Sequence, residues 1–519
     1  MTVAIETGQS GSPQTRAGIL RCLNSPACYW TMLVLYLLAH VALQIWSTPN
    51  IGKNEVQEAI AAQSWAWGYH PRNPPLHTWL LLGAYSIFGV NALAHAVLKY
   101  VLLGALYTFA YLSGRRLIPD HTLAALSALS LILLSPFAWT VHTALTHTLL
   151  LAVVVFATFW SALRLVETRT TRAYALFGLF LGLGLLAKYS FFLFALPLLA
   201  ALLTIAPLRS AILNPRFLLS IAIAAAVFAP HGAWMLDARY DFGAFLAESE
   251  HIDSLHSYPM DLALGFGDFA TEVVEFLLPF GLAFPLVFLS RRAKEARTPS
   301  PWSRVATLTA AYSLGLLALN IIVFRATHYE LRYMLCALLL APLASFLWLK
   351  RRSLSSKRLA IYFGVILIAA LIGFGGVIGR GLIYHRSCDR CWEEMPIAPL
   401  AESMRAAGFK SGTIIASDYN VAGNMRLAFP TARIYAANYH VAQPPFEGDG
   451  RCLLIWNVRV YGEATPARLS AYLQERGIAP THEITPEIFE APLRRSHDRL
   501  DRFAFWIVPG ADGSCRLEH

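Results

Sequence analysis

Charge is scarce in this chain: 14% of its 519 residues are Asp, Glu, Lys or Arg, while 56% are hydrophobic. A soluble protein of this length is excluded by that balance, and a polytopic membrane protein is what remains. No glycine-rich loop stands at a strand–helix junction, which excludes a nucleotide cradle. The chain has no internal repeat and no pair of interrupted spans, features expected of many secondary transporters and lipid flippases. Cysteines are few, seven in all. The formal net charge of +10 does not imply a nucleic-acid partner, because the basic residues fall in short clusters beside hydrophobic runs, where positive-inside sorting accounts for them.

What is present is a rhythm of apolar runs with basic inner ends. Residues 1–27 carry Arg16 and Arg21 ahead of a first span over about 28–46, so the N-terminus is expected in the cytoplasm and the following stretch outside. Further spans are expected near 92–112, 122–141, 148–165, 174–189, 192–205 and 218–234. After a long mixed loop over 237–272, an eighth span returns to Arg291, Arg292, Lys294 and Arg297; a ninth covers about 305–323 and a tenth ends at Lys350–Arg352. The eleventh, about 360–378, leaves the remainder of the chain outside. The expected fold is therefore a polytopic α-helical membrane protein of about 11 transmembrane helices (residues 28–379) with a C-terminal α/β domain over 380–519.

Two features punctuate this pattern. The stretch Lys53–Trp79, within an outer loop over about 48–90, is polar and aromatic. Asn54 and Gln57 fit a capping box for a helix from about Glu55 to Trp67, closed by Gly68, and Asn73-Pro74-Pro75 then breaks the backbone before a helix over about 75–88. In the last domain, Cys388 with Cys391 and Cys452 with Cys515 are the expected disulfides in an oxidising compartment, with a zinc site from the same four as the competitor. Cys22, Cys28 and Cys336 read as small apolar residues.

The run NEVQEAIAAQSWAWGYHPRNPPLHTWL, the Phe88-Gly89 pair, GLGLLAKYS at Gly182–Ser190 and the basic turn before RYMLCALLLAPL together resemble the GT-C glycosyltransferases of the protein O-mannosyltransferase and lipid A aminoarabinose transferase type. The QSWAWGY and NPPLHTWL wording and the ALTHT turn are most similar to a bacterial subgroup that includes lipopolysaccharide galacturonosyltransferases. The resemblance implies a GT-C-like fold, a polyprenyl-phosphate-linked sugar donor, an envelope glycolipid acceptor, inversion at the anomeric carbon, and an active site at the periplasmic face of a bacterial inner membrane; no cofactor is expected, with a metal ion left open. Two positions depart from the family. Its usual Asp-Glu opening is Asn54-Glu55 here, and His147 replaces a second expected acid.

Candidate residues follow from what such a transfer needs. Glu55 is the candidate base, and a first-turn Glu complementing the helix dipole is its alternative; Asn54 is either a cap or an orienting hydrogen-bond partner. Lys188 ends an apolar run, where a donor phosphate or snorkelling to the interface would accommodate its charge. Arg325 and Arg332 could fork onto phosphate oxygens, with interfacial anchoring or a Glu330 salt bridge as the alternative, and Arg72 could join them. His328, Tyr329, Tyr69 and His70 are candidate cavity residues. His142 and His147 lie five apart, which leaves a metal pair open and favours hydrogen bonding against the first loop. The acids Asp237, Asp241, Glu248, Glu250, Asp253 and Asp261 read as a largely solvated face. A protein acceptor, or a non-catalytic lipid-binding or transport role, stays as the rival reading.

Overall fold

The computed structural model describes residues 18–52, 54–237, 256–289, 300–349, 354–388, 391–439, 450–475, 485–513 and 515. Arg16, Lys53, Asp241, Glu248, Glu250, Asp253 and the basic clusters at 291–297 and 350–352 lie outside them. Among the described residues, seven helices are long and apolar enough to cross a membrane: Pro26–Ser47, Ala92–Leu117, His147–Thr168, Phe217–Asp237, Pro301–Phe324, Leu331–Leu349 and Ser356–Tyr384. Shorter apolar helices at Leu76–Phe88, His121–Leu133, Thr171–Ala187 and Tyr189–Thr204 pack among them. The protein is thus a multi-pass membrane protein. Helix His147–Thr168 is buried along most of its length, whereas Leu35, Leu38, Leu218, Leu286 and Ile372 point outward. Outward-facing leucine and isoleucine are what a lipid solvent permits.

Three expected elements differ. The run expected as one span over 122–141 breaks into a helix at His121–Leu129, a tight turn, and a widened turn at Pro136–Thr140. Leu134 is extended and forms an isolated bridge with Pro279, and Pro136 has no N–H to continue a ladder. The expected outer loop over 237–272 is helical from Tyr258 to Leu277. Cys22 and Cys28 are joined as a disulfide and are not simple apolar fillers.

The C-terminal part is built on a five-stranded mixed sheet in the order β2-β1-β3-β5-β4, with β1 Gly412–Ala416, β2 Arg433–Ala436, β3 Arg451–Asn457, β4 Glu487–Leu493 and β5 Ser496–Asp512. The first three strands run parallel and β3–β5–β4 antiparallel. Central strands β1 and β3 read as continuous apolar runs because both of their faces are covered. Cys452 joins Cys515, closing β3 to the end of the chain, and Cys388 joins Cys391, so the four cysteines form two disulfides.

This domain grips the loop that follows the first long span. Ile60 of the loop packs into the same core as Leu400, Met425 and Ile455. Asn424 exchanges two hydrogen bonds with the backbone of Ile51, each 3.0 Å. Gln63 extends the exposed edge of β2, accepting from Ile434 N at 2.7 Å and donating to Ile434 O at 2.9 Å. Gly423 faces Val56 so closely that a Cβ there would stand 2.5 Å from the valine Cβ.

Candidate functional site

The loop helix runs from Asn54 to Ala61, shorter than the sequence pattern suggests. Gln63 ends it: its amide donates to Ile60 O at 2.7 Å and then to β2, turning the chain toward the sheet edge. Gly68 closes no helix and instead gives room to the Trp234 ring. The helix places two acids three residues apart on its buried side, Glu55 at 5% and Glu58 at 3% exposure.

Glu55 Oε1 lies 2.6 Å from Lys99 Nζ, on the second long span. Burial opposes its ionisation, but the Lys99 charge, His95 and a backbone N–H near Gly52 together hold its carboxyl below the usual range. Glu55 lines two clefts. One includes Asn50, Thr48, His142, Arg380 and Tyr384. The other includes His77, His95, Lys99 and Thr146. Asn54, half-buried, starts the helix, one residue earlier than the capping-box pattern indicates.

Glu58 is shared by two histidines. Its Oε2 is 2.9 Å from His77 Nδ1 and its Oε1 is 2.7 Å from His147 Nε2, while Thr78 Oγ1 donates to Oε2 at 2.9 Å. Burial again opposes ionisation, and His147 with His77 outweighs it, so the Glu58 carboxyl sits well below its ordinary range. Glu58, His77 and His147 are also the group whose donor atoms, all within 4.8 Å, could hold a metal ion. Of these, the sequence pattern singled out only His147; Glu58 lies one helical turn beyond Glu55 and His77 directly follows the Pro-Pro-Leu step, and that spacing was the available signal.

The remaining candidates fall in several places. Lys188, half-buried, donates to Thr148 Oγ1 at 2.9 Å, next to His147. The charge of Arg332 reaches Lys188, although Arg332 also binds Glu330 at 2.6 Å. Arg325 is engaged elsewhere: it pairs at 2.5 Å with Asp261, which is fully buried and not part of a solvated face. Asp237 is exposed. His328 stands 3.4 Å from Asp268, and the buried Tyr329 hydroxyl donates to Leu317 O and Asn320 Oδ1 at 3.0 and 2.8 Å, a packing role. Arg72 is exposed on the loop. His70 stacks on Tyr439 of the sheet domain with ring centres 4.8 Å apart. The Tyr69 hydroxyl accepts from Ala66 N at 2.9 Å, and burial pushes its pKa up to about 12. His142 is separate from His147: it stacks on His40 at 4.1 Å and meets the Tyr36 and Tyr100 hydroxyls at 3.1 and 3.2 Å.

The architecture as a whole aligns with solved structures. The crystal structure of ArnT from Cupriavidus metallidurans bound to undecaprenyl phosphate aligns over 92% of this chain and 98% of that one, with a TM-score of 0.58 and 14% identity. Its apo form aligns over 95% and 100%, with a TM-score of 0.56 and 15% identity. Residues 72–234 match the dolichyl-phosphate-mannose-protein mannosyltransferase family model. Two lipopolysaccharide core galacturonosyltransferases of Rhizobium johnstonii match across nearly the whole chain. RgtB is 26% identical over 449 residues, 86% of this chain and 90% of that one; RgtA is 27% identical over 467 residues, 86% and 91%. This is a glycosyltransferase of the GT-C fold. In this GT-C glycosyltransferase the loop helix with Glu55 and Glu58 occupies the seam between the apolar helices and the sheet domain, and Lys188 approaches that seam from the helix side through Thr148.

Proposed function

We propose that this protein transfers a sugar, galacturonic acid or another hexose, from a polyprenyl monophosphate to lipopolysaccharide core or lipid A at the periplasmic face of the bacterial inner membrane. The observation that carries the reading is the pairing of Glu55 with Lys99: a carboxylate kept ionised at the junction of two clefts is an acceptor for a hydroxyl proton. The similarity to lipopolysaccharide core galacturonosyltransferases over 86% of the chain supports the acceptor class, and the undecaprenyl phosphate bound by ArnT supports the donor class. The proposed division is a cytoplasmic N-terminus at 1–27, a membrane part at 28–379 whose catalytic loop is 48–90, and a periplasmic domain at 380–519.

In this reading the acceptor oxygen attacks the anomeric carbon from the face opposite the phosphate, the carbon–oxygen bond to phosphate breaks, and polyprenyl phosphate leaves. Glu55 takes the acceptor proton; its ammonium partner makes it a weak base, so proton transfer follows bond cleavage more than it drives it. Lys188, with Arg332 beside it, meets the charge that develops on the departing phosphate, and Arg72 assists from the loop. Asn54 orients acceptor or sugar by hydrogen bonding. Tyr69, His70, His142 and His147 shape the cavity; Arg325, His328 and Tyr329 support the outer wall.

The test is transfer of radiolabelled sugar from undecaprenyl-phosphate-linked donors to purified lipopolysaccharide by the full-length protein in detergent. Label in lipopolysaccharide that Glu55→Gln removes supports the reading. Label in protein, or none with any donor, overturns it.

A further inference from the structure

Helices Thr171–Ala187 and Phe217–Asp237 run parallel and in close contact. Ser220 Oγ donates to Tyr174 O at 2.7 Å, and Gly178 leaves room for the Ser220 backbone, since a Cβ there would stand 2.4 Å from its carbonyl oxygen. Their far ends reach the loop region, Lys188 through Thr148 and His231 by donating to Trp67 O at 2.9 Å. The turns that precede the two helices are therefore neighbours at the opposite end of the bundle. Four exposed arginines stand there: Arg169 and Arg172 at the start of the first helix, Arg209 and Arg216 ahead of the second. Arg169 Nη2 donates to Ser210 Oγ at 2.9 Å, and Arg216 Nη1 donates to Arg169 O at 3.1 Å. The charges of both reach the Tyr174 hydroxyl. Among the described residues no carboxylate pairs with any of the four; Glu167, the acid next to them in the chain, takes Arg116.

We propose that Arg169, Arg172, Arg209 and Arg216 hold the phosphate of an anionic phospholipid from the surrounding bilayer. Guanidinium groups fork onto phosphate oxygens, and basic pockets between spans are where anionic head groups bind. Leu213 and Leu218 point outward beside the arginines, at 69% and 68% exposure, as lipid-facing side chains do. The ligand that fits this surface is an anion with an apolar tail. Sorting of charge across the membrane explains basic residues near the ends of spans, but not these positions. Arg172 lies in the first turn of its helix and Arg216 directly before the next, where the helix dipole disfavours a cation. Four like charges gathered without a carboxylate also repel one another. A bound phosphate offsets both costs.

The site goes beyond the transfer reading, and its test needs no sugar. Full-length protein in a neutral detergent is given phosphatidylglycerol or phosphatidylcholine with the same acyl chains, the lipid retained per chain is counted by native mass spectrometry, and the thermal midpoint is recorded. Retention of phosphatidylglycerol with a raised midpoint, and not of phosphatidylcholine, is expected. Arg169→Gln with Arg216→Gln should weaken phosphatidylglycerol binding about 30-fold, at roughly fivefold for each charge removed near a bilayer. Arg304→Gln with Lys357→Gln, the same loss of charge at exposed residues elsewhere, should leave it unchanged. If the first pair fails to fold, Arg172→Gln with Arg209→Gln carries the test, because neither side chain makes a hydrogen bond among the described residues. Equal retention of the two lipids, or equal binding by the parent and the arginine variants, would overturn the proposal. Displacement of the lipid by an equimolar amount of glycerol 3-phosphate, which has the head phosphate and no tails, would overturn it as well and leave a site for a free anion.

Discussion

Lys99 Nζ and Glu55 Oε1 stand 2.6 Å apart with both side chains at most 7% exposed, so the loop after the first span is tied to the second long span by a charge pair removed from water. Breaking one half leaves an unpaired buried charge, which costs about 3–5 kcal/mol. Lys99→Met should therefore destabilise the protein by about that much, while Lys99→Met combined with Glu55→Leu should recover a large part of it. Melting of the purified variants in detergent measures both. Equal losses in the single and double variants would show that the pair contributes packing and no charge compensation.

Lys188 is half-buried and fixed by Thr148. If it meets the leaving phosphate, Lys188→Ala lowers kcat by about 10²–10³-fold with little change in melting temperature. Thr148→Val, which frees the ammonium without removing it, should cost less. Steady-state transfer assays separate the two, and full activity in Lys188→Ala removes it from the reaction.

Gly423 has no space for a side chain against Val56. Gly423→Val should force the sheet domain off the loop helix, lowering transfer while leaving the membrane helices folded. Faster hydrogen exchange at Asn54–Ala61 in the variant would report the release; unchanged exchange would show that the domain does not hold the loop.

Asp418 caps the helix Tyr419–Ala428, accepting from Asn420 N at 2.8 Å and Val421 N at 3.3 Å. Burial nevertheless raises its carboxyl above the ordinary aspartate value, the backbone donors offsetting only part of that rise. The folded state therefore binds this proton more tightly than the unfolded state. Its contribution is level below pH about 4, falls as pH rises through the interval up to the raised value, and is level again above it. Asp418→Asn keeps a good cap but cannot titrate, so the variant should gain on the parent as pH rises through that interval. Melting curves at closely spaced pH values test this, and parallel curves would count against it.

Much of this protein follows from its sequence alone. Hydropathy runs flanked by Arg and Lys identify the membrane part, because lipid demands apolar helices and local charge sorts their ends. The pairing of Cys388 with Cys391 was legible from chain proximity, and the acid at Glu55 from its place in a polar interruption. What only the tertiary structure decided concerns partners far apart in the chain. Glu58 meets His147 across 89 residues, Asn424 meets Ile51 across 373, and Arg325 is taken by Asp261 and so is not free for a phosphate. The early end of the loop helix is of the same kind, since Gln63 is drawn to a strand edge 371 residues away. Local periodicity governs which segments become helices, but a buried charge finds its partner through packing, and packing pairs residues that no local pattern connects.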